Sequence, residues 1–156
     1  MRRLRLARKL PAMRALADVS WLLPLCYGGH EHHESALRWL EALPEGDGVV
    51  VCRLAQMGLL RLLSNPSVMG GDVCATDAAW KLNDRLLGDP RFSWEPEPST
   101  LEAELRRLTK GFPYSPKLWQ DAYLAAFAVA ADLPLVTFDR GFRKFPLLRS
   151  LVLTSE

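Results

Sequence analysis

The chain has 156 residues, of which 49% are hydrophobic and 24% are charged, and its formal net charge is +2. A chain of this length forms one domain with a sizeable core, and its composition excludes intrinsic disorder and collagen-like structure. No stretch approaches the roughly 18 apolar residues that span a membrane, so we expect no membrane partner.

The chain begins with a basic amino-terminal arm, residues 1–12, which holds five of the 20 basic residues. Residues 13–156, which we expect to form a single domain, hold 15 basic and 18 acidic residues and carry a net charge of −3. The arm could contact nucleic acid, although either a frayed terminus or an over-long start with the natural initiator at Met13 is favoured.

Short apolar runs alternate with helical patterns after this arm. The apolar runs predict strands at 14–17, 49–52, 92–94, 135–137 and 151–153. Helices are predicted after Ser20 as N-cap, and at about 30–42, 53–63, 72–87, 99–110 (with a Ser99–Glu102 capping box) and 115–131. Strands separated by helices form parallel sheets covered on both faces. The predicted fold is therefore an α/β, three-layer α/β/α sandwich with a central, mainly parallel sheet.

All three histidines lie within four residues at the start of the helix predicted at 30–42. His30 and His33 could share a helix face as a metal-binding pair. A polar start to an amphipathic helix is favoured over a metal site, because no third ligand is near. His30, His32 and His33 also lie far in sequence from the polar ends of the predicted strands.

The three cysteines indicate a reduced, cytoplasmic protein. Cys26, Cys52 and Cys74 are odd in number, widely spaced and not part of a C-x-x-C motif. That arrangement is typical of buried free thiols and not of a disulfide scaffold or a zinc knuckle.

Polar side chains follow the predicted strands where a parallel sheet binds ligands, at the carboxyl ends. Asp18 follows the first strand, and Asp139 follows the strand 135–137 after one residue. Gln56 lies in the first turn of the helix after the second strand, and Asp121 borders the apolar face of the last predicted helix. We expect these four side chains to come together at one edge of the sheet.

Three carboxylates at one edge repel one another unless a cation neutralises them. Oxygen ligands with retained waters suit Mg²⁺ or Mn²⁺, so the pattern favours a metal site at Asp18, Asp121 and Asp139. Taken singly, each residue could instead be a turn former, a helix cap or an early-helix carboxylate favoured by the helix dipole.

Four segments in chain order resemble the PIN-domain toxins of bacterial VapBC-type modules. They are the sequences DVS at 18–20, RLAQMGLLRLLSNP at 53–66, WQDA at 119–122 and TFDRGF at 137–142. The resemblance spans about residues 14–145. Each motif is weak alone, but four of them in this order over this length are fairly specific.

The resemblance implies a three-layer nuclease with a magnesium or manganese site. Such proteins cleave tRNA, rRNA or mRNA, are inhibited by a cognate antitoxin protein, and are expected to form homodimers. Asp18, Asp121 and Asp139 match the acidic site of the family, while Ser20 and Thr137 match positions that support the carboxylates through hydrogen bonds.

Gln56 departs from the family pattern, which usually has Glu at this position. A glutamine keeps a carbonyl oxygen that can accept a hydrogen bond or contact a metal, but it removes one negative charge. Because a single charge–cation contact is worth on the order of 4 kcal/mol before desolvation, the change predicts weaker metal binding.

The mechanistic hypothesis is hydrolysis of an RNA phosphodiester by a metal-activated water. Basic residues near the proposed edge are candidate phosphate contacts, although pairing with acidic residues is an equal alternative for the first two: Arg53, Arg61, Arg140, Arg143 and Lys144. Trp119 and Phe138 could stack on bases, but packing in the core is favoured for both.

Two other functions remain open from the residues. One is a catalytically weak or inactive PIN-like module that binds RNA or an antitoxin, as the missing charge at Gln56 would allow. The other is a phospho-acceptor domain, which is disfavoured because no lysine directly follows a late strand and Lys144 lies beyond the Asp139 turn.

Overall fold

The computed structural model describes residues 11–155, so most of the predicted basic arm lies outside the described residues. Five strands are present there: β1 (Arg14–Ala17), β2 (Gly48–Val51), β3 (Phe92–Trp94), β4 (Leu135–Thr137) and β5 (Ser150–Val152). The helices in that range are α1 (Val19–Cys26), α2 (His33–Glu41), α3 (Arg53–Leu63), α4 (Pro66–Met69), α5 (Thr76–Gly88), α6 (Leu101–Thr109) and α7 (Leu118–Ala130). Two 3₁₀ helices, Gly70–Asp72 and Arg140–Lys144, complete the set. None of the helices within 11–155 is long and apolar enough to cross a membrane.

The strands form one parallel sheet in the order β3-β2-β1-β4-β5. The chain adds β2 and then β3 on one side of β1, and returns to place β4 on the other side. Right-handed crossovers therefore put α1–α5 on one face and α6–α7 on the opposite face. The predicted three-layer α/β/α fold is confirmed.

The direction of strand addition reverses between β1 and β4. Such a reversal leaves a crevice outside the carboxyl ends of the two strands, because the connections leave them towards opposite faces. Register brings the ends together, with Leu16 opposite Leu135 and Ala17 opposite Val136. Whatever follows Ala17 and Thr137 in the chain therefore lies at this crevice.

The sheet is covered on both sides, which explains why its strands are apolar throughout. Ala15, Leu16 and Val49 have no exposed surface. On the α1 face, Trp21 is fully buried and packs edge-on against Trp39, with ring centroids 5.3 Å apart. Burial of large apolar side chains on both faces stabilises the sheet and fixes the strand ends that carry the polar residues.

Several predicted helix starts are wrong by one to four residues. Ser20 is not the N-cap of α1, since the helix begins at Val19 and Asp18 precedes it. The Ser99 capping box does not form, because α6 begins at Leu101 after Thr100 and has no side-chain cap. The helices predicted from residues 30, 72 and 115 begin at residues 33, 76 and 118.

Helix α4 is absent from the sequence prediction. Pro66 occupies its first turn, and the Oδ1 atom of Asn65 accepts a hydrogen bond of 2.9 Å from the backbone N–H of Ser67. The Asn-Pro pair that ends α3 therefore also starts the next helix, as proline at a first helical position does.

Candidate active site at the reversal point of the sheet

Asp18 and Asp139 both follow strand ends that meet at the crevice between β1 and β4. The backbone N–H of Asp18 donates to the carbonyl of Val136 at 3.0 Å, which continues the β1–β4 ladder one residue past the strand. Asp139 precedes the 3₁₀ helix Arg140–Lys144, and its Oδ1 atom accepts a hydrogen bond of 2.7 Å from the N–H of Gly141. Sheet geometry thus delivers two carboxylates to the same edge.

Two hydroxyl groups hold the Asp18 carboxylate. Its Oδ2 atom accepts hydrogen bonds from Ser20 Oγ at 2.5 Å and from Thr137 Oγ1 at 2.7 Å. The same two hydroxyls accept backbone N–H groups, Ser20 from Phe138 at 3.0 Å and Thr137 from Asp139 at 2.9 Å. Ser20 and Thr137 therefore connect the Asp18 carboxylate, through hydrogen bonds, to the backbone segment that contains Asp139.

Burial makes the charged form of Asp18 costly. The residue is only 5% exposed, and this desolvation raises the pKa of its carboxyl group, while the hydrogen bonds from Ser20 and Thr137 lower it by less. A buried carboxylate held in a fixed orientation is a typical feature of a catalytic or cation-binding site.

Asp121 reaches the same region from the opposite face of the sheet. It lies in the first turn of α7 and lines a cavity of about 430 Å³ together with Asp18. Most of the remaining wall is apolar, with Val19, Met57 and Leu124 among its residues. The cavity therefore joins two of the three predicted carboxylates in surroundings that strengthen electrostatic interactions.

Lys144 forms an ion pair with the carboxylate of Asp121. Its Nζ atom donates to Asp121 Oδ2 at 2.7 Å, and the two side chains are 35% and 29% exposed. The sequence placed Lys144 among the candidate phosphate contacts. In the structure it is an internal partner of the acidic site.

Asp139 lines a different cavity, of about 290 Å³, which it shares with Ser20 and with the loop between α1 and α2. The ring of His32 stacks on Phe138 there, with centroids 4.5 Å apart and an angle of 11° between the planes. His30 also lines this cavity, and burial, with a smaller contribution from His32, lowers its pKa. Sequence reasoning missed this contact because nothing in the local pattern shows where the loop folds.

His30 and His33 do not share a helix face, because α2 begins at His33 and His30 precedes it. His33 Nδ1 lies 2.8 Å from the carbonyl of Pro24, and His30 Nδ1 accepts the N–H of His32 at 3.1 Å. These bonds order the α1–α2 loop, and α2 begins at His33 as a polar helix start.

Gln56 belongs to a buried polar network next to the two-carboxylate cavity, which its chain neighbours on both sides line. It is 4% exposed, donates through Nε2 to Asn83 Oδ1 at 3.0 Å and accepts a hydrogen bond from Arg53. The guanidinium of Arg53 also lies 4.2 Å from the ring centroid of Trp94. Asn83 is a buried polar residue that the sequence did not reveal, because α5 pairs with α3 only in the folded chain.

The three remaining arginines among the candidate RNA contacts are on the surface. Arg140 and Arg143 are exposed on the 3₁₀ helix that follows Asp139, and Arg61 lines the cavity that contains Asp18. Phe138 is partly buried, as expected. The expectation that Trp119 packs in the core is wrong, because its side chain is 59% exposed.

The polar atoms of the site are carboxylate and hydroxyl oxygens, which are the type of ligand that Mg²⁺ and Mn²⁺ prefer. Within residues 11–155, however, no three His, Cys, Asp or Glu side chains converge closely enough to hold a metal ion. Asp18 and Asp121 share one cavity, and Asp139 faces the next. The residues fit a hard cation by type, and ligation by all three carboxylates stays a prediction.

A model of the PIN domain matches residues 15–148, which is most of the chain. The chain belongs to the PIN-domain family. Ribonuclease VapC41 of Mycobacterium tuberculosis is 37% identical over 134 residues, which cover 83% of this chain and 92% of that protein. The sequence resemblance to this family is therefore confirmed over nearly the whole domain.

Solved PIN-domain structures share the fold at low sequence identity. VapBC2 from Rickettsia felis, bound to a DNA fragment from its promoter, superposes with a TM-score of 0.69 at 16% identity, covering 91% of this chain and 100% of that one. Mycobacterium tuberculosis VapC20, a Sarcin-Ricin loop cleaving toxin, gives 0.60 at 19% identity, covering 83% and 92%. The fold of this chain is therefore shared with both of these solved structures.

Proposed function

We propose that this PIN-domain protein is a metal-dependent endoribonuclease, the toxin of a VapBC-type toxin–antitoxin module. The observation that carries the proposal is the buried Asp18 carboxylate, held by two hydroxyls at the sheet reversal and sharing a cavity with Asp121. A relative with 37% identity is named a ribonuclease, which supports RNA hydrolysis as the reaction.

The chain supplies the orientation and the charges for this chemistry. Mg²⁺ or Mn²⁺ bound at this edge would polarise the scissile phosphate and lower the pKa of the attacking water. Ser20 and Thr137 keep the Asp18 oxygen in place, so that little reorganisation is needed during the reaction. Arg140 and Arg143, exposed beside Asp139, would position the RNA backbone through its phosphates.

The substrate and the partners follow from the same proposal. Single-stranded regions of tRNA, rRNA or mRNA would be cleaved, as cleavage of the sarcin-ricin loop by VapC20 supports for this fold. A cognate antitoxin would bind and inhibit the enzyme, which the VapBC complex of Rickettsia felis supports. We also propose a homodimer and, from the three free thiols, a cytoplasmic location.

A module that binds RNA or an antitoxin without turnover is the second candidate. Two contacts favour it: the ion pair with Lys144 reduces the charge that Asp121 offers a metal, and the hydrogen bond from Arg53 occupies the Gln56 carbonyl oxygen that a metal would use. Membership in the PIN-domain family leaves the phospho-acceptor hypothesis without support.

Cleavage of total RNA separates the two candidates. Purified protein, freed of co-purifying antitoxin, should release discrete fragments with Mg²⁺ or Mn²⁺ and none with EDTA. Gln56→Glu should lower the metal concentration needed, if the missing charge limits binding. Cleavage that persists in EDTA would contradict the metal dependence, and folded protein without activity in any metal would favour the binding module.

A further inference from the structure

Lys144 is placed by two contacts at the acidic site. Its ammonium donates to Asp121 and lies 5.4 Å from the ring centroid of Phe145, which is only 1% exposed. The residue ends the short 3₁₀ helix that Asp139 begins, so its backbone is tied to the carboxyl end of β4. An ammonium between a carboxylate and an aromatic face is held more firmly than an ordinary surface lysine.

The Lys144–Asp121 contact competes with a metal at the same carboxylate. Two cations a few ångströms apart repel one another, and the repulsion is stronger beside an apolar cavity than in bulk water. Lys144 contacts the Oδ2 atom of Asp121, and Asp121 lines the same cavity as Asp18. A divalent cation that uses this oxygen must therefore displace the ammonium or share the carboxylate at an energetic cost.

We propose that Lys144 is the resident counter-cation of the acidic site and leaves Asp121 when a divalent cation binds. In the metal-free protein it neutralises Asp121, and it thereby lowers the affinity for the metal. Once displaced, its ammonium joins Arg140 and Arg143 on the same exposed segment as a point charge for an RNA phosphate. This inference rests on the proposed function, because it assumes that Asp121 contributes to a metal site.

This exchange of the Lys144 ammonium for a metal ion at Asp121 predicts a measurable gain in metal affinity when the ammonium is removed. Partly exposed ion pairs contribute up to about fivefold to an equilibrium constant. Lys144→Met keeps the aliphatic stem and removes the charge, so we expect Mn²⁺ to bind about fivefold more tightly. Arg143→Met removes a nearby charge without this ion pair and should change the affinity by less than about twofold, since exposed charges are screened.

Calorimetric titration of the full chain with Mn²⁺, without RNA, tests the exchange. We expect the gain in Lys144→Met to vanish in an Asp121→Asn background, because the two substitutions then remove the same interaction. Equal gains in Lys144→Met and Arg143→Met, or no gain in either, would overturn the exchange while leaving the nuclease proposal intact. Absence of Mn²⁺ binding in every variant would instead overturn the metal dependence of the proposed function and the exchange with it.

Discussion

Asp18→Asn is expected to lower RNA cleavage by at least about 100-fold, as loss of a charge-stabilising group at a catalytic centre does. The same substitution should raise the thermal stability of the metal-free protein. Burial raises the pKa of Asp18, so its charged form opposes folding at neutral pH. Asparagine removes the charge and keeps an oxygen that can accept hydrogen bonds from Ser20 and Thr137.

The difference in the free energy of unfolding between the wild type and Asp18→Asn should change with pH in a direction that the pKa of Asp18 determines. Because the folded pKa of Asp18 lies above its ordinary value of 3.8, the folded state retains the proton to higher pH than the unfolded state. The free energy of unfolding of the wild type should therefore fall, relative to Asp18→Asn, as the pH rises from below 3.8 through the folded pKa. Above that pKa the difference should stay constant. Denaturant unfolding across this range measures it.

Asp77→Asn is the matched control, since Asp77 is an exposed carboxylate in the first turn of α5, away from the crevice. It should leave cleavage within about twofold of the wild type and should not increase stability, because an acidic residue near a helix N-terminus is favourable. Full activity in Asp18→Asn would remove Asp18 from the reaction. A loss of stability in that variant would show that its buried charge is compensated within the metal-free protein.

Thr137→Val is expected to damage both folding and cleavage. The fully buried hydroxyl donates to Asp18 Oδ2 and accepts the N–H of Asp139, and valine can do neither. Valine leaves the buried Asp18 carboxylate short of one donor and the partly buried N–H of Asp139 without its acceptor, which together should cost about 1–3 kcal/mol of the free energy of unfolding. Loss of the group that orients Asp18 should reduce cleavage by about 10- to 100-fold, as for other residues that orient site ligands. Urea unfolding and single-turnover cleavage measure the two effects.

Thr137→Ser separates the hydroxyl from the packing of the side chain. Serine retains the hydrogen bonds and loses one buried methyl group, so it should cost about 1 kcal/mol in stability and leave cleavage within a few-fold. If Thr137→Ser and Thr137→Val lowered cleavage equally, the hydroxyl would have no special role in holding Asp18.

The sheet, and the two aspartates that follow β1 and β4, could be predicted because both depend on local sequence pattern. Runs such as 49–51 are apolar on both faces, as a doubly covered parallel strand requires. Once β1 and β4 are neighbours, Asp18 and Asp139 must lie at the same edge, since each follows its strand within one residue. The sheet and the positions of these two aspartates therefore follow from patterns among residues that are close in sequence.

The partners of the site residues could not be predicted in this way. Lys144 meets Asp121, and Gln56 meets Asn83, across elements whose relative rotation depends on packing. The stack of His32 on Phe138 likewise depends on the path of a loop. In each case the sequence identifies a polar residue near the crevice, but only the folded chain shows which group neutralises or covers it.

The chemical ends of the RNA products show whether water attacks the phosphodiester at the Asp18 crevice. A defined RNA cleaved with Mg²⁺ or Mn²⁺ should carry a 5′-phosphate on one fragment and a 3′-hydroxyl on the other, because water attacks the phosphorus and the 3′-oxygen leaves. End-specific labelling and mass spectrometry distinguish these ends. A 2′,3′-cyclic phosphate would contradict the account, since it requires attack by the 2′-hydroxyl of the RNA itself.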